Sequence, residues 1–201
     1  MTKYWYLWAL IVILIPITAF VCYKAAVATK QAREEREKTV RELEEGKKLK
    51  DEFSGLSAEQ IRNSDETRLM SGMALLVDLA MRKEIRPNEA FSALPREKQL
   101  AYTLNCILED SDGGVSSFFR KNTEPISSLA APALREAGLE ELSLLFASVY
   151  PMFDEENEQV SFDEEKLKAA DEKFRSIFNE TELKTAAALY IKSNAAVFAE
   201  N

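Results

Sequence analysis

Residues 109–119 read EDSDGGVSSFF, which places acidic residues, a Gly pair and two Phe residues within one short run. Three interpretations compete for this stretch: a metal-binding loop, a catalytic corner, or a hinge between two helices. The hinge interpretation decides the fold, because it makes the stretch a turn between packed helices and not a loop built around a ligand.

The metal interpretation is tested by the ligand spacing of a calcium loop. If Gly113 is the turn glycine of an EF-hand-like loop, Asp110 and Asp112 occupy ligand positions, but neither end of the loop holds a ligand residue. A looser carboxylate site made from Glu109, Asp110 and Asp112 stays open as an alternative. From this mismatch we expect no metal ion and no cofactor.

The catalytic interpretation requires two carboxylates of different pKa that face a cleft. Glu109 and Asp112 are three residues apart and share a helix face if the helix extends that far. The chain has no histidine, which removes the commonest general base, and no nucleophile or set of oxyanion donors accompanies the two acids. We therefore expect a protein that is not an enzyme, with carboxylate chemistry around Glu109 and Asp112 as the alternative.

The hinge interpretation uses every residue type in the stretch. Gly113 and Gly114 both allow a positive φ, and Asp112 can cap the helix that follows. Phe118 and Phe119 then begin a short helix whose rings enter the core. A turn followed by a packed helix therefore explains the whole motif without a ligand or a reaction.

Upstream of the hinge, apolar residues recur with the spacing of a helix. Ser57 begins a capping box, and a second helix start is expected at Ser64 or Asp65. Pro87 is expected to stop that second helix, and Pro95 is expected to open the next one.

Downstream of the hinge, the same periodicity continues to the end of the chain. Ser127 or Ser128 is expected to cap a helix in which Pro132 lies near the first turn, and Gly138 is expected to end that helix. Asp163 starts another helix, and a last helix follows it. No segment alternates with period two for long enough to indicate a strand, so the predicted fold class is all-α.

The charge of the predicted helical domain is strongly negative. Residues 54–201 carry 16 basic against 26 acidic residues, a net of −10. Such a balance disfavours direct binding to nucleic acid, because phosphates need cationic partners.

The N-terminus carries the pattern of a membrane segment. Residues 4–23 contain no charge, and a helix of that length spans about 30 Å, the thickness of a bilayer core. Basic residues follow this run closely, which predicts a cytoplasmic C-terminal domain in a single-pass protein of a bacterial cytoplasmic membrane. The expected organisation is an anchor over residues 1–23, a charged helical stalk over residues 24–53, and an acidic helical domain over residues 54–201.

A run of carboxylates is the candidate surface for a protein partner. It comprises Asp154, Glu155, Glu156, Glu158, Asp163, Glu164 and Glu165. The competing interpretation is a solvated loop followed by a helix cap, since charge runs are weak indications of recognition.

The hinge and its surroundings also carry landmarks that stand in a known order. These are Glu109, Asp112-Gly113-Gly114-Val115, Ser117-Phe118-Phe119 and Asn122. Together they resemble a family of helical domains that includes a bacterial DNA-mimic protein. That family has Asn at the place of Asp112, Phe at that of Val115 and Gln at that of Ser117, and its own Asn stands one place before Asn122. The resemblance covers roughly residues 90–198.

This resemblance implies an acidic module whose carboxylates imitate DNA phosphates toward a basic, DNA-binding partner. We accordingly expect a membrane-anchored, non-enzymatic module that binds a protein through an acidic face. A structural membrane tether whose domain assembles with itself is the further alternative.

Overall fold

The computed structural model describes residues 24, 29–30, 32–33, 35–153 and 163–199, and every regular element within them is a helix. The predicted all-α class is thus confirmed. The chain divides into two compact units, Met1–Lys48 and Leu49–Asn201. Residues 4–23, which we predicted to span a membrane, lie outside the described residues. Among the described residues, none of the helices is long and apolar enough to cross a bilayer.

The first helix, α1, covers residues 35–53. Within the first unit its side chains are exposed or nearly so, including Val40 and Leu43. Phe53, in the second unit, is instead fully buried, and its ring packs so closely on Gly72 that a Cβ there would lie 2.2 Å from Phe53 Cδ2. Phe53 thus belongs to the core of the second compact unit, which begins at Leu49.

The second unit contains ten more α-helices and one 3₁₀ turn among the described residues. They are α2 (Ala58–Asn63), α3 (Glu66–Met81), α4 (Pro87–Ser92), α5 (Arg96–Asp110), α6 (Val115–Lys121), α7 (Ile126–Glu136), α8 (Glu140–Val149), the 3₁₀ turn Tyr150–Met152, α9 (Glu164–Ile177), α10 (Glu180–Ser193) and α11 (Ala195–Ala199).

Several helix ends follow the local sequence signals. Ser57 forms a complete capping box with Gln60, and Asp65 accepts a hydrogen bond from the backbone N–H of Thr67. Asp163 caps α9 in the same manner, and Gly138 ends the turn after α7 with a φ of 83°. These expected starts and stops are confirmed because each depends on residues within one helical turn.

The proline-based expectations were wrong in two places. Pro87 does not stop α3, which ends earlier at Met81; it begins the additional short helix α4, where its fixed φ suits the first helical position. Pro132 lies inside α7 and not in its first turn. The reason is that α7 starts early: Pro125 occupies the N-cap position, and the hydroxyls of Ser127 and Ser128 donate to the carboxylate of Glu124.

Helix α5 lies at the centre of the unit and contacts α3, α6, α7, α10 and α11. Helix α9 packs on α6 and α8. An aromatic cluster joins these last three helices: the rings of Phe118 and Phe146 lie 5.4 Å apart, and those of Phe146 and Phe174 lie 6.2 Å apart. Burial of such rings supplies much of the stabilising apolar area, so the position of α9 is fixed through its packing on α6 and α8.

Candidate interaction surface

The turn between α5 and α6 connects the hinge stretch to the rest of the unit. Helix α5 ends at Asp110, and α6 begins after Gly114, whose φ of 116° lies in the region that favours glycine. Gly113 does not adopt a positive φ. The expectation that both glycines supply this freedom was therefore wrong for Gly113.

The cap of α6 comes from another helix. Asp171 of α9 accepts hydrogen bonds from the backbone N–H of Ser116 at 2.8 Å and from the hydroxyl of Ser116 at 2.6 Å. Arg175, one turn further along α9, donates to the backbone carbonyl of Gly113 at 3.1 Å. The predicted cap, Asp112, accepts no hydrogen bond from a backbone N–H of α6; its Oδ1 accepts instead from the side-chain hydroxyl of Ser117 at 3.3 Å. The carboxylate that accepts these hydrogen bonds lies 55 residues away in the sequence, so no local pattern could indicate it, which explains the error.

Asp112 belongs instead to a charged group on the outer side of the turn. Lys121 Nζ lies 3.3 Å from Asp112 Oδ1 and 3.6 Å from Asp110 Oδ1. Asn122 Nδ2 donates to Asp110 Oδ2 at 2.9 Å and to the carbonyl of Phe118 at 3.1 Å. The hydrogen bond from Lys121, followed by the one from the backbone N–H of Gly113, holds the pKa of Asp112 below its usual value.

This arrangement bears on the metal interpretation. The ammonium group of Lys121 lies within 3.6 Å of a carboxylate oxygen of each Asp and already supplies the positive charge that a metal ion would bring. Within the described residues, no group of three or more potential ligands could hold a metal ion.

The same residues bear on the catalytic interpretation. Glu109 is exposed near the end of α5. A general acid needs a raised carboxyl pKa, whereas that of Asp112 is lowered by its hydrogen bonds. Asp112 is therefore held in its charged form, which does not suit the role of a general acid.

The predicted acidic run lies only partly within the described residues. Asp154, Glu155, Glu156 and Glu158 lie outside them. Asp163 is used as a helix cap, and the backbone N–H of Lys166 lowers its pKa. Glu164 and Glu165 are exposed in the first turn of α9, and within the described part of the chain neither forms an ion pair.

A second pair of carboxylates, from separate helices, was not singled out in the sequence. Glu97 in the first turn of α5 and Glu136 in the last turn of α7 both lie close enough to Tyr190 of α10 to act on its hydroxyl. Burial, followed by these two negative charges, raises the pKa of Tyr190 to about 12. Only the packing of α5, α7 and α10 brings these residues together, so no sequence pattern could have indicated them.

A comparison with protein families shows the family to which the chain belongs. A family model described as DMP19-like protein matches residues 92–194, just over half of the 201 residues. The chain belongs to the DMP19-like family. The family resemblance seen in the hinge stretch is thereby confirmed. No curated protein and no solved structure matches the chain.

The matched segment contains all three features described above. The turn before α6, the N-terminal end of α9 and the Glu97–Glu136 pair fall between residues 92 and 194. In the DMP19-like segment, then, some carboxylates are bound internally and others remain exposed to solvent.

Proposed function

We propose that this DMP19-like chain is a membrane-anchored, non-enzymatic module whose acidic face binds a basic, DNA-binding protein. The observation that carries the proposal is the family match over residues 92–194, since that family is named for a DNA-mimic protein. The net charge of −10 over residues 54–201 agrees in sign with phosphate mimicry.

The carboxylates available for such contacts are those that no internal group compensates. In the described residues of the matched segment, several acids have no ion pair; among them are Glu136, Glu164 and Glu165, which are exposed, and Glu97, which is half-buried. Asp110 and Asp112, by contrast, share the ammonium of Lys121, which partly neutralises their charge. We assign the contact surface to Glu164 and Glu165, which continue the run that begins at Asp154, and to Glu97 and Glu136, whose negative charges both act on Tyr190.

The non-enzymatic part of the proposal is supported by the low pKa of Asp112 and by the absence of histidine from the sequence. The membrane location is supported by the uncharged run over residues 4–23. The basic residues that follow this run favour a cytoplasmic C-terminal domain, where DNA-binding proteins are accessible.

The test is capture of a partner from nuclease-treated lysate of the host, with the tagged chain as bait. We expect a basic protein that is retained at low salt, lost at high salt, and displaced by added double-stranded DNA, because the bait and DNA would compete for the same cations. Failure of DNA to displace the captured protein would contradict phosphate mimicry.

A charge-matched pair of variants then locates the surface. Replacing Glu97, Glu136, Glu164 and Glu165 by Gln is expected to weaken retention of that protein by about tenfold, at a few tenths of a kcal/mol for each charge. The control also removes four negative charges: it replaces Glu44, Glu45, Glu59 and Glu84 by Gln, which are exposed acids outside residues 92–194 without an ion pair among the described residues. Equal loss in both variants would show that only net charge matters and would overturn the assigned surface.

A further inference from the structure

The loop between α3 and α4 has a composition opposite to that of the unit around it. Residues 82–86 read RKEIR, three cations and one anion in a domain whose net charge is −10. All five residues are exposed, and the side chain of Ile85 is 98 % exposed, the largest value among the exposed large apolar residues of the described chain. We call residues 82–86 the cationic tip.

The apolar surface at the cationic tip extends beyond one side chain. Beside Ile85 runs an open groove of about 640 Å³ between the end of α3 and α4. Its apolar lining comprises Ala80, Met81, Ile85, Ala90, Ala93 and Leu94, and Glu84, Arg86 and Glu89 complete the lining. An aliphatic residue fully in water next to an apolar groove indicates a surface that is covered in use.

The charges of the cationic tip are available to an external ligand. Arg82 contacts Asp78 at 2.7 Å, and Arg86 contacts Glu89 at 2.8 Å, but both arginine side chains are about three-quarters exposed. Exposed pairs of this kind contribute little free energy, so each guanidinium can exchange its carboxylate for a phosphate. Lys83 has no ion pair within the described residues.

We infer that the cationic tip docks on an anionic lipid surface, with Ile85 inserted among the acyl chains and Arg82, Lys83 and Arg86 bound to lipid phosphates. Cations around an aliphatic residue are the composition of segments that lie in a membrane interface. The sign of the charge argues against the two other occupants. A basic partner of the acidic face would be repelled here, and so would the same cationic tip of a second copy; contact with the acidic surface of a second copy is the outcome that the dependence on protein concentration tests below.

The inference concerns a surface separate from the acidic contact surface. It rests on the proposed function in one respect: the proposed membrane anchor brings the unit to a bilayer. Docking through the cationic tip would turn one end of α3 toward the membrane and hold the acidic unit at a fixed orientation. It predicts two separable contacts with lipid, the anchor and the tip.

The experiment places an environment-sensitive fluorophore at residue 85 of the full chain, as Ile85→Cys in a Cys22→Ser background. Cys106 is buried, and burial raises its pKa to about 12, so it reacts poorly with the reagent; the Cys22→Ser chain alone is the labelling blank. The matched control is Leu144→Cys on α8, also an exposed apolar position but close in sequence to Glu140 and Glu141. Each chain is reconstituted into vesicles of phosphatidylglycerol with phosphatidylcholine, or of phosphatidylcholine alone.

We expect a several-fold rise and a blue shift of emission at residue 85 on the anionic vesicles only, with quenching by acyl-chain quenchers and no change at residue 144. Replacing Arg82, Lys83 and Arg86 singly by Gln should weaken the response by about fivefold each. An emission at residue 85 that stays typical of water on anionic vesicles would overturn the inference. So would a lipid-independent signal that rises with protein concentration, because it would assign the tip to a second copy.

Failure of the anchor is distinguished by a separate readout. Vesicles are floated after an alkaline wash, which leaves a spanning helix in the bilayer and removes peripheral contacts. Loss of the chain in this wash contradicts the proposed anchor, while the fluorescence at residue 85 before the wash still decides whether the cationic tip docks.

Discussion

The turn between α5 and α6 and the N-terminal end of α9 are both rich in carboxylates, but they use them for different purposes. At the turn, Asp171 caps α6, while Asp110 and Asp112 share the ammonium of Lys121. At the end of α9, Asp163 caps its own helix and leaves Glu164 and Glu165 exposed. The number of acids in a segment therefore does not measure its capacity to imitate phosphates; the number without an internal partner does.

The largest expected effect on this difference comes from a substitution that fills the space in which the cap of α6 forms. In Gly114→Ala, the new Cβ would lie 2.4 Å from Asp171 Oδ1 on a backbone with a φ of 116°. We expect a loss of roughly 4 kcal/mol in the free energy of unfolding, from backbone strain together with the broken cap. Urea denaturation of the chain measures it.

Gly113→Ala is the control for that substitution. Its Cβ would meet only the side chain of Ser117, at 3.2 Å, and its backbone has no positive φ. We expect a change below about 1 kcal/mol. If the two variants lost equal stability, the special position of Gly114 beside Asp171 would be disproved.

The next effect in size is removal of the cap itself. Asp171→Ala leaves the buried N–H and hydroxyl of Ser116 without acceptors, which should lower the free energy of unfolding by about 2–3 kcal/mol. Glu172→Ala, an exposed acid on the same helix, should change it by less than about 0.5 kcal/mol. Similar losses of stability for both variants would contradict the distinction between acids that are bound internally and acids that are exposed.

The smallest effect concerns the titration of the paired acids. In Lys121→Gln, the pKa of Asp112 should rise toward the usual value, because its first cause of depression is the hydrogen bond from Lys121. NMR of the carboxyl carbons measures the shift. The pKa of Asp163 serves as an internal reference, since it is lowered chiefly by a backbone N–H and should not move.

The sign of the associated stability change follows from the two directions of shift. The folded-state pKa of Asp112 is lowered, so its contribution is present above about pH 4 and is lost as the pH falls through the folded-state value. The pKa of Lys121 is raised, first by its hydrogen bond to Asp112, so its contribution is present below about pH 10 and is lost as the pH rises further. Both dependences should be weaker in Lys121→Gln; an unchanged acid limb would contradict the pairing.

The parts of this structure that sequence alone could predict are those with local causes. Ser57, Asp65 and Asp163 cap helices through bonds to residues two or three positions away, and the apolar spacing around them is a local periodicity. The family resemblance was also visible, because Gly-Gly followed by paired Phe is a contiguous landmark.

The parts that could not be predicted depend on contacts between distant segments. Nothing near Ser116 indicates that Asp171 will accept its hydrogen bonds, and nothing near Glu97 or Glu136 indicates that both will act on Tyr190. Phe53 follows a highly charged segment, and nothing near it indicates that the missing side chain of Gly72 admits the Phe53 ring to the core. Pro132 is not in the first turn of α7 because the helix begins earlier than expected, where Glu124 before the helix accepts a hydrogen bond from the hydroxyl of Ser127.

The cap that Asp171 supplies to α6 also sets an order of events during synthesis. Helix α6 leaves the ribosome 55 residues before the carboxylate that completes its first turn. Until α9 has emerged, the N–H of Ser116 has only water as an acceptor, and the aromatic rings that α9 covers are open to other chains. The nascent unit therefore closes only when its last third has been translated, and the acidic run before α9 is then already outside the ribosome.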